Sequence, residues 1–512
     1  MSGFNVSVIH PDYQDYLEEW EIVRDCISGE RIIKRKSQKY LPMPSVNCDT
    51  KRYLSYISRA VFYNATARTR DALAGAVFSK APQIKLPELM QWAQSDIDGK
   101  GTDLIDFTRF CFNEVLTVGR IGLLADYNST SSATLAQLQN GDVHPVLYPY
   151  VAENIINWYE EIVDNKLIMT QVVLREVVSS RNSDNPFRFD KYYQYRVLYL
   201  DQDMNYNVDV YRDKQPLQYL RQDEILIQTP NPVFQDLIST SMPKDKNGNP
   251  LKYIPFKFGG SERNQSDVQK SPLIDLARMN LSHYRTSADV EEMLHITAVP
   301  TLILTGVTNS WVKEMGIKKI ALGSTTCIPL PEGATASLLQ LDPTQLLTTE
   351  LRAKETQMQM LGARIMQQSA GEAAETVRMR QSGEASVLEG IALNVSALIE
   401  QMLEICTDFQ PINENEDINF KLNTDFFTSQ VDQPMLAELR ADQAAGLITT
   451  MEWRTNALSA GIELDDTINT IQDLESVLEL EPPMGQNSSV NSGININSPS
   501  NMALEQASMV SG

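Results

Sequence analysis

The segment SDIDGKGTDLIDF, residues 95–107, has the residue types and part of the spacing of a calcium-binding loop. Asp96 and Asp98 occupy the first and third positions of such a loop, where carboxylates bind the ion. Lys100 then occupies the fifth position, and Phe107 occupies the twelfth, where an acid is required. We therefore expect no calcium site, and predict a turn before a helix whose N-cap is Thr102 or Asp103.

The residue types that most often carry catalysis form no recognisable constellation in this sequence. It has neither a G-x-x-x-x-G-K-[ST] loop nor an H-E-x-x-H motif. His283 and His295 are twelve residues apart, which is not a ligand spacing on one helix face. The cysteines form no C-x-x-C pair and are odd in number, so we expect reduced thiols in a cytosolic chain. We expect a protein that is not an enzyme and holds no metal or cofactor.

The charge of the chain limits the partners that it could have. Its 512 residues carry a formal net charge of −22, whereas a protein that grips duplex DNA through phosphate contacts is usually basic. This balance disfavours a sequence-reading DNA binder but permits a protein that lets DNA pass. One short basic cluster, RIIKRK at 31–36, is either a solvated face or a contact with an acidic neighbouring subunit or nucleic acid.

The length of the chain predicts two to four domains. Its hydropathy pattern predicts no membrane-spanning segment. No apolar run approaches the roughly 20 residues that span a bilayer, so we expect no membrane partner. The start, MSGFNVSVIH, lacks a basic segment followed by an apolar core, so we expect no signal peptide.

The elements of the first half change from helix to strand. We predict mainly helix over 1–125, with a buried helix over 58–82 that ends near Ser79 and a second from Leu104 to Val118. Gly119 should end that second helix before the buried strand IGLLAD. Residues 166–230 predict an antiparallel meander of about four strands. INFKLNTDFF, at 418–427, could add another strand to it.

The second half is mainly helical. A long helix over 271–297 is amphipathic only in its first half, because polar residues such as Glu291 and His295 interrupt its apolar face. Asp342 should cap a helix that runs to about Met366, followed by a polar loop or frayed helix end over 367–383. A regular apolar stripe then favours a core helix over a coiled coil; its residues are Leu388, Ile391, Val395, Leu398, Met402 and Ile405. A small helical unit and an Asn/Ser-rich tail follow.

This order of elements resembles that of the portal proteins of tailed bacteriophages, over about residues 10–475. The segments that carry the resemblance are RAVFYNATARTRDALAGAVFSKAP, YVAENIINW, YIPFKFGG and KSPLIDLARMNLSHYRTSADVEEMLHITAVPTLILTG. They look like a branch of the family that is known largely from sequence. The resemblance implies an α+β fold that assembles as a ring, usually of about twelve subunits, at one vertex of the capsid.

The resemblance also divides the chain into regions. They would be a wing over 1–270, a first stem helix over 271–298, a clip over 299–342, a second stem helix over 343–366, a tunnel loop, long wing helix and returning strand over 367–432, a helical crown over 433–480 and a tail over 481–512. The apolar half of the first stem helix would contact neighbouring subunits and the second stem helix. Apolar clip strands, TLILTG and CIPLP, could pair with strands of adjacent subunits.

The implied function is a passive channel for double-stranded DNA during packaging and ejection. Its implied partners are copies of itself, the terminase large subunit that hydrolyses ATP, the major capsid protein, and head–tail adaptor or tail proteins. The protein would be assembled in the host cytoplasm and reside in the virion. By position in the chain, the DNA-facing candidates are Arg364, Gln367, Gln368, Arg378, Arg380 and Gln381.

Two other classes of protein remain as alternatives. The first is another structural virion protein, such as a head–tail adaptor or a scaffold, although neither would need two long helices around a β excursion. The second is a capsid-associated hydrolase, which would need a pocket of titratable residues that this sequence does not supply. The number of subunits in the purified particle separates these classes from a portal.

Overall fold

The chain is an α+β protein, described here from a computed structural model. The structure describes residues 5–127, 144–182, 185–217, 235–297, 301–314, 330–339, 345–363, 374–410 and 417–424, together with residues 440, 441 and 453. The chain divides into two compact units, Met1–Phe426 and Phe427–Gly512, and all elements named below belong to the first. Among the helices of the described residues, none combines the length and apolar content needed to cross a bilayer.

The helices of the first unit are numbered α1 to α10 in chain order. Their bounds are α1 Pro11–Ser28, α2 Glu30–Arg35, α3 Thr50–Arg59, α4 Ala65–Val77, α5 Trp92–Ser95, α6 Leu104–Val118, α7 Ile274–Thr297, α8 Asn309–Glu314, α9 Gln345–Met358 and α10 Ala374–Cys406. Short 3₁₀ turns occupy Ser37–Lys39, Glu88–Met90 and Ala152–Asn154, and α9 continues as a π-helical turn over Gln359–Ala363.

Within the described residues, the strands form four separate sheets. Their bounds are β1 Gln83–Lys85, β2 Arg120–Asp126, β3 Val146–Val151, β4 Ile155–Val163, β5 Lys166–Arg181, β6 Phe189–Leu200, β7 Tyr206–Asp213, β8 Gln235–Ser241, β9 Phe256–Gly260, β10 Thr301–Thr305, β11 Thr335–Leu339 and β12 Asn419–Lys421. Strands β4 to β8 form an antiparallel meander in chain order, β2 lies between β3 and β9, β10 pairs with β11, and β1 pairs with β12.

The predicted helix α6 and strand β2 are confirmed. The side chain of Asp103 caps α6, accepting a hydrogen bond of 2.7 Å from the backbone N–H of Asp106. Gly119 ends the helix in the left-handed region, at φ 78°. A Cβ there would lie 2.9 Å from the carbonyl oxygen of Lys270, so glycine also permits the segment before α7 to approach closely.

The apolar stripe of α10 is confirmed as part of the core. All six of its predicted residues are buried, and Ile391, Val395, Leu398 and Met402 are fully buried. The stripe lies against α6, β2, β9 and β12 of the same chain. The residues at 3–4 spacing therefore pack into a core of helices and strands, and not against a second helix in a coiled coil.

The structure corrects two of the predicted elements. Residues 58–82 do not form one helix, because α3 ends at Arg59 and α4 begins after Asn64, whose side chain caps α4 through the N–H of Ala67. The strand predicted at 418–427 does not join the meander. Its described part, β12, pairs with β1, because the fully buried Phe420 belongs to the core beside α10.

Other predictions fall partly or wholly outside the described residues. In the described residues the meander has five strands, and it begins earlier than predicted, at Ile155. The predicted strand EILIQTP lies outside the described residues. The C-terminal helical unit and the tail also lie outside them, apart from residues 440, 441 and 453.

A charged cluster joins α1, α6 and the 3₁₀ turn after β3. Arg24 donates to both carboxylate oxygens of Glu114 at 3.1 and 2.6 Å, and to both carboxylate oxygens of Glu153, one of them at 2.8 Å. Glu114 is buried and the other two side chains are half-buried. The guanidinium therefore compensates two carboxylates that have lost much of their hydration.

Replacing Arg24 should destabilise the protein strongly. The Arg24→Met variant leaves two adjacent carboxylates without a partner, so we expect a loss of about 3–5 kcal/mol in chemical denaturation at neutral pH. The control, Arg109→Met, removes an exposed ion pair with Asp106 and should cost about 1 kcal/mol or less. Equal losses in the two variants would contradict this account of Arg24.

Candidate functional site

Helices α7 and α9 lie against each other in antiparallel directions. Lys354 and Glu355 of α9 reach Thr286 and His283 of α7, and Gly362, farther along the chain, lies beside Leu276, nearer the start of α7. The chain therefore runs in one direction along α7 and in the opposite direction along α9. Between these helices in the chain lie the antiparallel strands β10 and β11, which we call the β10–β11 hairpin although helix α8 lies between them in sequence.

Polar contacts fasten α7 to the N-terminal helices along its length. Asn280 is fully buried; its Nδ2 donates to the carbonyl of Tyr63 at 2.6 Å, and its Oδ1 accepts from the backbone N–H and the hydroxyl of Thr66 at 3.2 and 3.0 Å. This side chain is satisfied by the start of α4. An asparagine in the middle of an apolar helix face is the sequence signal for such a contact, which the sequence analysis did not use.

The far half of α7 is held by charged and hydroxyl groups. Tyr56 of α3 donates to Asp289 at 2.6 Å, and Arg59 pairs with Glu292. The end of the helix is more exposed, with Leu294 and Ile296 each more than two-fifths accessible. The polar residues that interrupt its apolar face therefore serve contacts within the chain for much of its length.

His283 lies buried in the contact between α7 and α9. Its two ring nitrogens make no hydrogen bond, and the nearest carboxylate oxygen, Oε1 of Glu355, is 3.5 Å from Nε2. Burial lowers the pKa of the His283 imidazole, an effect that the Glu355 carboxylate opposes and that Lys354 adds to. The imidazole is therefore held in its neutral form more strongly than a free histidine.

The outer face of α9 has no covering element among the described residues. Leu347 and Leu351 are half-buried and Met358 is buried, on the side of α9 that carries Lys354 and Glu355, and the opposite side is exposed. We call this exposed side the α9 outer face; it consists of Leu346, Thr349, Ala353 and Thr356, with Met360 in the π-helical turn that continues α9. Its two long apolar side chains, Leu346 and Met360, are 72% and 52% exposed.

The β10–β11 hairpin has two open edges in the part of the chain that the structure describes. Its five residue pairs run from Thr301 opposite Leu339 to Thr305 opposite Thr335. A two-stranded hairpin by itself is marginally stable in water, and its outer backbone groups can pair with further strands. Of the two apolar segments that predicted strands here, TLILTG forms β10, and most of CIPLP lies outside the described residues.

The six DNA-facing candidates are not brought together as a described site. Arg364, Gln367 and Gln368 lie outside the described residues. Arg378, Arg380 and Gln381 belong to α10, because that helix begins at Ala374. Part of the segment predicted as a loop or frayed helix end is therefore helical, and the role of all six residues stays a prediction.

The residues considered for metal binding or catalysis have structural partners. Asp98 accepts hydrogen bonds from the backbone of Lys100 and the hydroxyl of Thr102 at 2.9 Å each, which closes the turn before α6. His10 and His144 stack on Trp158 and Trp92. Cys26, Cys48, Cys111 and Cys406 are free and buried. Within the described residues, no group of three or more His, Cys, Asp or Glu side chains could hold a metal ion.

The chain was compared with known families, curated proteins and solved structures. The sequence model of a family described as "Domain of unknown function (DUF4055)" matches residues 272–410, from the start of α7 to just after α10. A chain in a structure described as "Neck of empty GTA particle computed with C6 symmetry" is similar over 84% of this chain and 99% of its own length, with 11% sequence identity and a TM-score of 0.37. Among curated proteins, none matches this chain.

Protonation of His283 should weaken the contact between α7 and α9. The unfolded chain binds a proton at this histidine below about pH 6.5, whereas the folded chain resists it until a lower pH. Stability should therefore fall as the pH decreases from about 6.5 towards the lowered pKa, and His283→Gln should remove that part of the pH dependence. Thermal denaturation between pH 7.5 and 5 would measure it.

The matched control is His295→Gln, which changes an exposed histidine near the end of α7. This variant should keep the pH dependence of the wild-type protein. If His283→Gln also kept it unchanged, the buried imidazole would not be its source.

Proposed function

We propose that this chain is a portal protein: a subunit of a ring, of about twelve copies, that surrounds a channel for double-stranded DNA at one vertex of a phage capsid. The observation that carries the proposal is the antiparallel pair α7 and α9 around the β10–β11 hairpin. In such a ring the helix pair is the stem and the hairpin belongs to the clip. The remaining sheets and helices of the first unit form the wing.

The uncovered surfaces of this region support an assembly of many copies. The α9 outer face exposes the long apolar side chains of Leu346 and Met360, and among the described residues both edges of the hairpin are open. In the proposed ring, the stem helices of neighbouring subunits cover the α9 outer face, and clip strands of neighbours extend the hairpin. Both contacts remove surface that would otherwise favour uncontrolled association.

The acidic balance of the chain suits a channel through which DNA must slide. A wall that is negative overall repels the phosphates, and a few arginines give transient contacts that do not hold the duplex. Arg378 and Arg380, near the start of α10, are proposed to supply such contacts together with the other DNA-facing candidates. The protein itself performs no catalysis in this proposal.

The proposed partners follow from the position of the hairpin. The clip would dock the terminase large subunit during packaging and then head–tail adaptor or tail proteins, and the wing would contact the major capsid protein. The chain would assemble in the host cytoplasm and remain in the virion. An adaptor or scaffold is the second structural possibility, and it would form rings only on a template supplied by another protein.

A single charge on the α9 outer face should reduce assembly. The purified wild-type chain should form particles of about 0.7 MDa, the mass of about twelve copies of 57.6 kDa, in sedimentation velocity. Ala353→Glu places a carboxylate in the proposed contact and should lower the assembled fraction at least about tenfold, because burying an unpaired charge is costly.

The matched control for this prediction is Ala353→Ser, which keeps a small neutral side chain at the same position. It should assemble like the wild-type chain, and both variants should keep the wild-type circular dichroism spectrum because Ala353 is exposed in the subunit. Full assembly of Ala353→Glu would contradict the proposed use of the α9 outer face.

A further inference from the structure

A concavity on the five-stranded meander combines aromatic and acidic side chains. It has a volume of about 480 Å³ and lies where β4, β5 and β6 meet the turn after β6. Tyr159, Tyr199, Val197 and Met204 supply its aromatic and apolar lining, and Glu161 and Asp201 supply two carboxylates. No lysine or arginine lines it. Tyrosine rings beside carboxylates form a favourable environment for a guanidinium group.

The two carboxylates of the concavity are not neutralised within the described chain. Asp201 accepts hydrogen bonds from the backbone N–H groups of Asp203 and Asn205, each at 2.9 Å. These bonds lower the pKa of Asp201, so it stays anionic. Glu161 is exposed and has no ion-pair partner among the described residues. The concavity is therefore a negative, partly aromatic surface without a cation.

The basic cluster RIIKRK divides into paired and unpaired residues in the structure. Lys34 pairs with Glu30 at 2.8 Å, and Lys36 pairs with Asp25 at 2.5 Å. Arg31 and Arg35 are exposed and have no ion-pair partner in the described part of the chain. They are one helical turn apart on α2, so both guanidinium groups project from the same side of that helix.

The concavity and this arginine pair lie near opposite ends of α1. At the N-terminal end of α1, the N–H of His10 donates to the carbonyl of Ile156 in β4 at 2.8 Å. Later residues of β4, Tyr159 and Glu161, line the concavity. At the other end, Gly29 connects α1 directly to α2. Helix α1 has 18 residues and is therefore about 27 Å long, so the two surfaces lie at different places on the subunit.

Because they are complementary and lie at different places on one subunit, the two surfaces suit a head-to-tail contact. A contact of that kind joins unlike surfaces and produces a ring when the rotation between subunits closes. We infer that Arg31 and Arg35 of one copy dock against Tyr159, Tyr199 and Glu161 of the next copy. This inference rests on the proposed ring and adds to it the surfaces of the wing through which neighbours recognise each other.

Reversing the charges on both sides tests this contact. Glu161→Arg alone, and Arg31→Glu with Arg35→Glu, should each raise the protein concentration needed for half-assembly by roughly tenfold. The variant with all three substitutions should assemble better than either parent, because the charges at positions 31, 35 and 161 are again opposite in sign. Its recovery should stay below the wild-type level, because the Asp201 carboxylate remains in the concavity. Sedimentation velocity at several salt concentrations gives these values, and melting curves confirm folding.

Lys100→Glu is the matched control, because it reverses an exposed lysine that has no ion-pair partner within the described residues. It should assemble like the wild-type chain. If the wild-type chain assembles and none of the reversals affects it, this inference is wrong while the ring stands, and the concavity serves a partner other than a second copy. If the triple variant is worse than either parent, the pairing is also wrong. A wild-type chain that never assembles overturns the ring itself.

Discussion

The attachment of helix α7 determines where the remaining parts of this protein can lie. Asn280 is fully buried with both ends of its amide hydrogen-bonded, and Tyr56 and Arg59 hold the far half of the helix through Asp289 and Glu292. A buried amide is costly unless each polar atom has a partner, so these contacts allow one position of α7 against α3 and α4. With α7 fixed, α9 can return along it, and the hairpin lies between the two helices in the chain.

The elements that local signals define could be predicted from sequence. Helix α6 has an acidic cap and a terminal glycine, and the stripe on α10 has the spacing of a buried helix face. The elements that depend on distant partners could not. The break before α4 depends on Asn64 as a cap and on Asn280, more than two hundred residues later in the sequence. Strand β12 pairs with β1, although most of the sequence of the first unit separates them. Sequence spacing carries no information about such pairs.

The candidate site shows the same division. The long helix over 271–297 and the apolar strand after it could be predicted from sequence. Strand β11 was not among the predicted strands, and its pairing with β10 within the chain was not predicted either. The buried imidazole of His283 and the α9 outer face could not be predicted, because each depends on which side of α9 faces α7. The DNA-facing candidates rest on position in the chain alone. The sequence does not show which basic residues of RIIKRK form ion pairs. That depends on the fold, which places Lys36 and not Arg35 beside Asp25.

Cryo-electron microscopy of the purified chain measures both the symmetry of the particle and the position of each helix in it. We expect closed rings of about twelve subunits with the α7 and α9 pair next to the axis and the meander at the periphery. Particles that remain monomers or dimers in every condition, or rings in which α7 and α9 face outward, would contradict the proposed ring.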